Sequence, residues 1–339
     1  MASLFQHWME QPLWDSWLSL SDYIQDSGDS NDDDDDDDDE NNKSQLPFER
    51  ANNGVSSDNY YNQQDHPVSL HHANEFVQFI YTQELNAIVH QFDWSFLRPD
   101  CDGSGSGTSS RKRKKLVDIG GNNGVVVSAI ANKEPTIDCY CYDLPEVINR
   151  YNTSSSSSSC SSTTTNKAAS SSSFNPITMI PGNVLDTNPS TIPSDCDAIF
   201  MKHFLDRCMW NEEETIQILQ ACSKALITND NNNNENNDTT TCTNGRIIIA
   251  DAVLPDVGYQ QQKNNNINNT NNVINNNTNH SNNELSLHLD ALYMLVGRER
   301  QRTKQEWTTL AKAANLTIVQ VQYTTIPSCS IIVLEKEKK

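Results

Sequence analysis

Basic residues are scarce in this sequence. Only 24 of its 339 residues are Lys or Arg, against 45 Asp or Glu, which leaves a formal net charge of -21. A surface of that sign repels a phosphate backbone, so no nucleic-acid partner is expected. Long apolar runs are missing too. No segment approaches the ~20 apolar residues of a membrane span, and the amino terminus shows no basic stretch followed by an apolar core. Neither a membrane partner nor an export signal is therefore read. Regular cysteine spacing is also absent: the nine cysteines, at 101, 139, 141, 160, 196, 208, 222, 242 and 329, trace neither a disulfide framework nor a ligand set. Cys139 and Cys141 have no matching His/Cys pair downstream and read as buried free thiols. No metal is expected, and a reducing cytoplasm is the expected compartment.

Apolar residues of any kind make up only 35% of the chain. Polar tracts take their place: an acidic run at 32–40, a Ser/Thr tract at 152–173, and Asn-rich stretches at 229–244 and 259–283. Such tracts bury too little apolar surface to offset the entropy of ordering, so they are expected to be disordered insertions. Setting them aside leaves roughly 250 residues, which suits one α/β domain at 101–339 preceded by a helical segment at 1–100. In that segment Trp8, Trp14, Trp17, Leu18, Leu20 and Tyr23 suggest an aromatic amphipathic helix, and Phe76, Phe79, Ile80 and Ile88 recur at helical spacing in 73–90. The basic run Arg111 to Lys115 reads as a solvated lead-in to a strand rather than an import signal.

The most informative stretch is LVDIGGNNGVVVSAIANKEPTIDCYCYDLPEVINR, Leu116 to Arg150. It reads as a buried strand, a glycine turn, a helix, and a second strand ending on an acid. Leu116, Val117 and Ile119 suit a strand covered on both faces, and Gly120, Gly121 and Gly124 allow a tight turn and close approach to a ligand. Asp143 lies twenty-three residues beyond Gly120, placed to accept hydrogen bonds from ribose hydroxyls. Dinucleotides and S-adenosylmethionine both fit this frame. GGNNG lacks the glycine order of the dinucleotide fingerprint and holds no Lys or Arg for a pyrophosphate, which favours S-adenosylmethionine.

Further along, strands are expected near 177–180, at 197–202 with Lys202 at its carboxyl end, and at 245–251. A closing pair is expected at 318–323 and 330–334. Helices are expected at 212–226, with Ile216, Leu219, Cys222 and Leu226 on the apolar face, and at 303–316. The turn Pro181-Gly182-Asn183-Val184 sets an amide beside an apolar side chain, a pair suited to a base edge and its face.

These segments, in this order, resemble the plant-type small-molecule O-methyltransferases, the group that includes the caffeic acid and acetylserotonin enzymes. LVDIGGNNG resembles the family's cofactor loop, YDLPEVI its ribose-binding strand end, PGNVL its adenine turn and DAIFMKHFL its fourth strand. DAVLP, RERQRTKQEW and AKAANL resemble its later active-site segments. The likeness runs from about Leu46 to Glu335. It implies a Rossmann-like class I methyltransferase sheet and methyl transfer from S-adenosylmethionine to a phenolic or similar hydroxyl of a small molecule. It assigns Gly120, Asp143, Asn183, Val184 and Lys202 to the cofactor.

The chain departs from the family at the base. Counted without gaps from Lys202, the catalytic histidine's position is held by Asp206, where the family pattern reads L-H-D-W. His203 is read as facing the opposite way, a partly buried structural side chain. The two acids that orient the histidine correspond to Asp251 and to either Gln301 or Glu299. Asp206 could serve as the base, the enzyme could rely on positioning of acidic phenols, or the chain could be a catalytically impaired relative that binds cofactor. The family's winged-helix dimerisation region also has only a short, truncated counterpart here, so a monomer or weak homodimer is expected.

Overall fold

The structure, a computed structural model, describes residues 7, 9–28, 45–62, 66–98, 113–156, 177–186, 191–205, 210–227, 245–256, 286–296 and 301–337. Trp8, Asp206, Glu299 and the tracts expected to be insertions lie outside these residues, wholly or in large part. The chain divides into two compact units. The first comprises Met1–Leu85, Ala252–Thr303 and Thr325–Ser328, and the second Asn86–Asp251, Lys304–Thr324 and Cys329–Lys339.

The first unit is helical. It contains helix α1 (Gln11–Gly28), the short helices α2 (Pro47–Ala51) and α3 (Ser57–Asn62), and most of the long helix α4 (Pro67–Gln91). Leu13, Phe48, Leu292 and Leu295 form its core, with Leu20, Tyr60, Tyr61 and Val296 packed around them. The stripe expected of α1 is buried only in part, at Leu20 and Tyr23. Leu13 and Ser16 turn inward, while Trp14, Trp17 and Leu18 are exposed. The spacing of large side chains marked a helix correctly but not its buried side, because a small serine three residues after Leu13 fits where a tryptophan does not.

The second unit is a seven-stranded sheet with strand order β3-β2-β1-β4-β5-β7-β6. The strands are β1 (Lys115–Ile119), β2 (Asp138–Asp143), β3 (Thr178–Pro181), β4 (Ala198–Lys202), β5 (Arg246–Asp251), β6 (Leu316–Tyr323) and β7 (Ser330–Lys336). β1 to β5 pair in parallel, and β7 runs antiparallel to both β5 and β6. The central strands are apolar and buried along almost their whole length, as a sheet covered on both faces requires. β6, at the edge, alternates with exposed polar residues and carries an irregularity between Ile318 and Gln320 that interrupts its ladder.

The helices α5 (Val125–Lys133), α6 (Pro145–Ser156), α7 (Glu212–Ala225) and α8 (Lys304–Ala313) belong to this unit. α6 carries helical backbone to Ser156, into the first residues of the tract read as disordered. α7 opens on a reciprocal cap. Asn211 Oδ1 accepts the Glu214 N–H at 2.9 Å, and the Glu214 carboxylate accepts the Asn211 N–H at 3.1 Å. Its buried stripe is Thr215, Ile218, Leu219, Cys222 and Ala225, so Ile218 takes the place expected for Ile216. α8 stops before Leu316 because Asn315 adopts a left-handed φ of 58°. Cys139, Cys141, Cys196, Cys222 and Cys329 are buried and in no disulfide. Burial pushes the first four of these thiols up to about 12.

Candidate active site

Strand order reverses where β1 separates β2 from β4, and in open α/β sheets the crevice outside the carboxyl ends at such a point receives ligands. A cleft of about 450 Å³ opens there. β1 is followed by Gly120, whose φ of 70° favours glycine and whose N–H donates to the Tyr142 carbonyl at 2.9 Å. A Cβ at Gly120 would run into the Phe204 ring, so the bare backbone lets an aromatic side chain close on the loop.

Asp143 ties the loop to the end of β2. Its Oδ2 accepts the Asn122 N–H at 2.8 Å and its Oδ1 accepts the Leu144 N–H at 2.7 Å. Each carboxylate oxygen holds one backbone donor, which leaves acceptor capacity for hydroxyl groups of a ligand. The Asp143 carbonyl also accepts the Gly182 N–H at 2.9 Å, and so brings the turn after β3 to the same edge. In that turn Asn183 Oδ1 accepts the Leu185 N–H at 3.0 Å, and Val184 is buried. Leu144 leaves an exposed apolar side chain at the cleft.

Beneath the loop lies Asp118, on β1 and 2% exposed. Its Oδ2 is buried without a hydrogen-bond partner and lies 2.9 Å from where a Gly121 Cβ would stand. Burial, reinforced by the Asp143 charge and only partly offset by Lys202, pushes this carboxyl up to about 8. Lys202 ends β4 at the opposite side of the cleft.

The structure therefore brings Gly120, Asp143, Asn183, Val184 and Lys202 to one cleft. Of the residues expected on the acceptor side, Asp251 ends β5 in the same unit and is 1% exposed. Gln301 belongs to the first unit, where it is buried and its backbone N–H donates to Asp290 Oδ1 at 2.5 Å. Asp206 and Glu299 lie outside the described residues.

One reading of the sequence is overturned. His203 does not turn away from the cleft; it lines it, with Phe204 and Trp210 beside it. Its φ of 46° leaves the strand conformation, and its ring Nδ1 comes within 3.3 Å of Asp251 Oδ1. The register offered a signal: Lys202 pairs with Ala250, so the next residue on each strand is His203 and Asp251. Trp210 was not singled out either; its indole N–H donates to the Phe204 carbonyl at 2.6 Å.

The cradle suits S-adenosylmethionine. An acid with spare acceptor capacity fits a ribose, and an amide beside apolar Val184 and Leu144 fits a purine.

Sheet order, an antiparallel seventh strand and the cleft position together define a Rossmann-like class I methyltransferase fold. The chain belongs to the O-methyltransferase domain family, whose sequence model matches residues 109–317. It is 25% identical over 271 residues to pluviatolide O-methyltransferase of Sinopodophyllum hexandrum, covering 80% of this chain and 53% of that protein. It is 29% identical over 201 residues to anthranilate N-methyltransferase of Ruta graveolens, covering 59% of this chain and 38% of that protein. The chain thus spans about half the length, or less, of these relatives. Among solved structures it is similar to N,N-8-amino-8-demethyl-D-riboflavin dimethyltransferase from Streptomyces davawensis, with TM-score 0.60, 13% identity, and coverage of 99% of this chain and 73% of that one. A calicheamicin-biosynthesis methyltransferase in its SAH-bound form matches with TM-score 0.55, 16% identity, and coverage of 99% and 72%.

Proposed function

We propose that this chain transfers a methyl group from S-adenosylmethionine to a phenolic hydroxyl of a small molecule. The observation that carries this reading is the convergence of Gly120, Asp143, Asn183, Val184 and Lys202, read from the sequence as cofactor residues, on a single cleft. S-adenosylmethionine supplies an electrophilic methyl on a sulfonium when bound. The chain's task is to hold an acceptor oxygen close and in line, and to take its proton. Asp143 takes the ribose hydroxyls, Asn183 and Val184 the adenine edge and face, and Gly120 allows the close approach. Lys202 borders the end where the methyl is delivered. Asp206, with Asp251 and either Glu299 or Gln301, marks the acceptor side by position in the sequence. We place the protein in the cytoplasm, a compartment supported by the buried free thiols.

Titration calorimetry with S-adenosylmethionine, followed by methyl transfer to a panel of phenols, tests the proposal. Aromatic amines belong in the panel because one relative is named an anthranilate N-methyltransferase. Saturable binding and transfer to at least one phenol are expected. Transfer to amines alone would move the acceptor from oxygen to nitrogen, and no cofactor binding would overturn the reading.

A further inference from the structure

The expected pattern makes Asp251 an orienting acid but places the base at position 206, whereas the side chain that meets Asp251 here is His203. A non-glycine residue in the left-handed region is uncommon and is held there by its surroundings. Contacts that hold His203 include those to β5: its N–H donates to the Ala250 carbonyl at 3.0 Å, and its ring Nδ1 meets Asp251 Oδ1 at 3.3 Å. The Asp251 side chain is 1% exposed and that of His203 26% exposed. The carboxylate is therefore buried, and the imidazole beside it lines the cleft. A base within hydrogen-bond reach of an orienting acid is the arrangement that proton abstraction requires.

We infer that His203 is the proton acceptor of the reaction and that Asp251 is its positioning residue, an inference that rests on the methyl-transfer reading of the cleft. The other charged groups lining the cleft are Lys202 on the same strand, Asp143 at the end of β2, and Arg150 on α6; Asp118 lies buried on β1. Among these side-chain types only an imidazole ordinarily titrates between about pH 5 and 8. An ordinary carboxylate is weaker as a base than an ordinary imidazole by roughly 2.6 pK units. With Nδ1–H donating to Asp251 Oδ1, Nε2 is the basic nitrogen. As the acceptor oxygen forms its bond to the methyl carbon, the carbon–sulfur bond breaks and its electron pair passes to sulfur. The hydroxyl proton goes to Nε2, and the imidazolium, stabilised by the Asp251 carboxylate, releases it to water.

The test compares the parent with His203→Asn, chosen because Asn tolerates the left-handed backbone. With a phenol of ordinary acidity, turnover should fall by about 100-fold or more, and the rising limb of the kcat–pH profile should vanish. With a nitrophenol already ionised at assay pH, the loss should stay below about tenfold, because no proton remains to be taken. Calorimetric affinity for S-adenosylmethionine should fall by much less than turnover does, since His203 lines the cleft but is not among the residues assigned to the ribose or the adenine. Equal losses on both acceptors, or a loss in Asp206→Asn but not in His203→Asn, would overturn the assignment. An independent readout is the NMR titration of the His203 imidazole in cofactor-free protein. It should shift down by about one unit in Asp251→Asn, which removes the opposite charge. An unchanged titration would overturn the pairing. Turnover absent from the parent with that shift present would overturn the methyl-transfer reading, and with it the base role, while leaving the pair intact.

Discussion

Asp118 places a carboxyl in a strand buried on both faces, and its titration should govern part of the pH dependence of stability. An unfolded Asp ionises near 3.9, whereas here burial and Asp143 push the group up to about 8. Between those values the folded state keeps a proton that the unfolded chain has released. Stability therefore declines as pH rises through this window and levels off above it. Asp118→Asn removes the titration, so urea unfolding midpoints should vary less between about pH 4 and 8 than in the parent. An identical slope in both proteins would place the proton uptake elsewhere. Asp143 acts on the ligand instead. Asp143→Ala should weaken S-adenosylmethionine binding by roughly 1.5 to 3 kcal/mol, the worth of hydrogen bonds to a charged acceptor, and equal calorimetric affinity would remove it from the site. Gly120 and Asp143 were legible in the sequence because strand, turn and acid follow one another locally. The direction of His203 was not, because its backbone turn is coupled to a carboxylate 48 residues away.

Strands announce themselves where burial on both faces demands an unbroken apolar run, as in β4 and β5, and all seven lay within a few residues of where the sequence put them. Helical faces were harder to read. In α1 and α7 the period was right, but the packed stripe was set by which side chains fit the neighbouring core, a property of the partner surface rather than of the helix. The start of α7 depends less on its partners. Its reciprocal cap satisfies two backbone N–H groups that the first turn would otherwise leave without a helical acceptor, and Glu212, Glu213 and Glu214 complement the helix dipole. Asn211→Ala should lower unfolding stability by about 1 kcal/mol, while Asn211→Asp should lose little, as measured by chemical denaturation. Equal losses in both variants would show that the amide serves something other than the cap.

At the scale of the molecule, every described residue that lines the cleft belongs to the second unit. A ligand that binds the folded form alone stabilises it by mass action, by ~2.7 kcal/mol when free ligand stands at a hundred times Kd. If the binding energy enters through the glycine loop, the end of β2 and the turn after β3, the gain should be local before it is global. Amide exchange measured with and without S-adenosylmethionine should then slow most in 120–124, 143–150 and 182–185, because Asp143 already accepts the Asn122 and Leu144 amides and its carbonyl the Gly182 amide. Amides of the first unit, such as those of α1 and α2, should change little at the same ligand concentration. Protection of equal size in both units would mean that the cofactor orders the first unit as well.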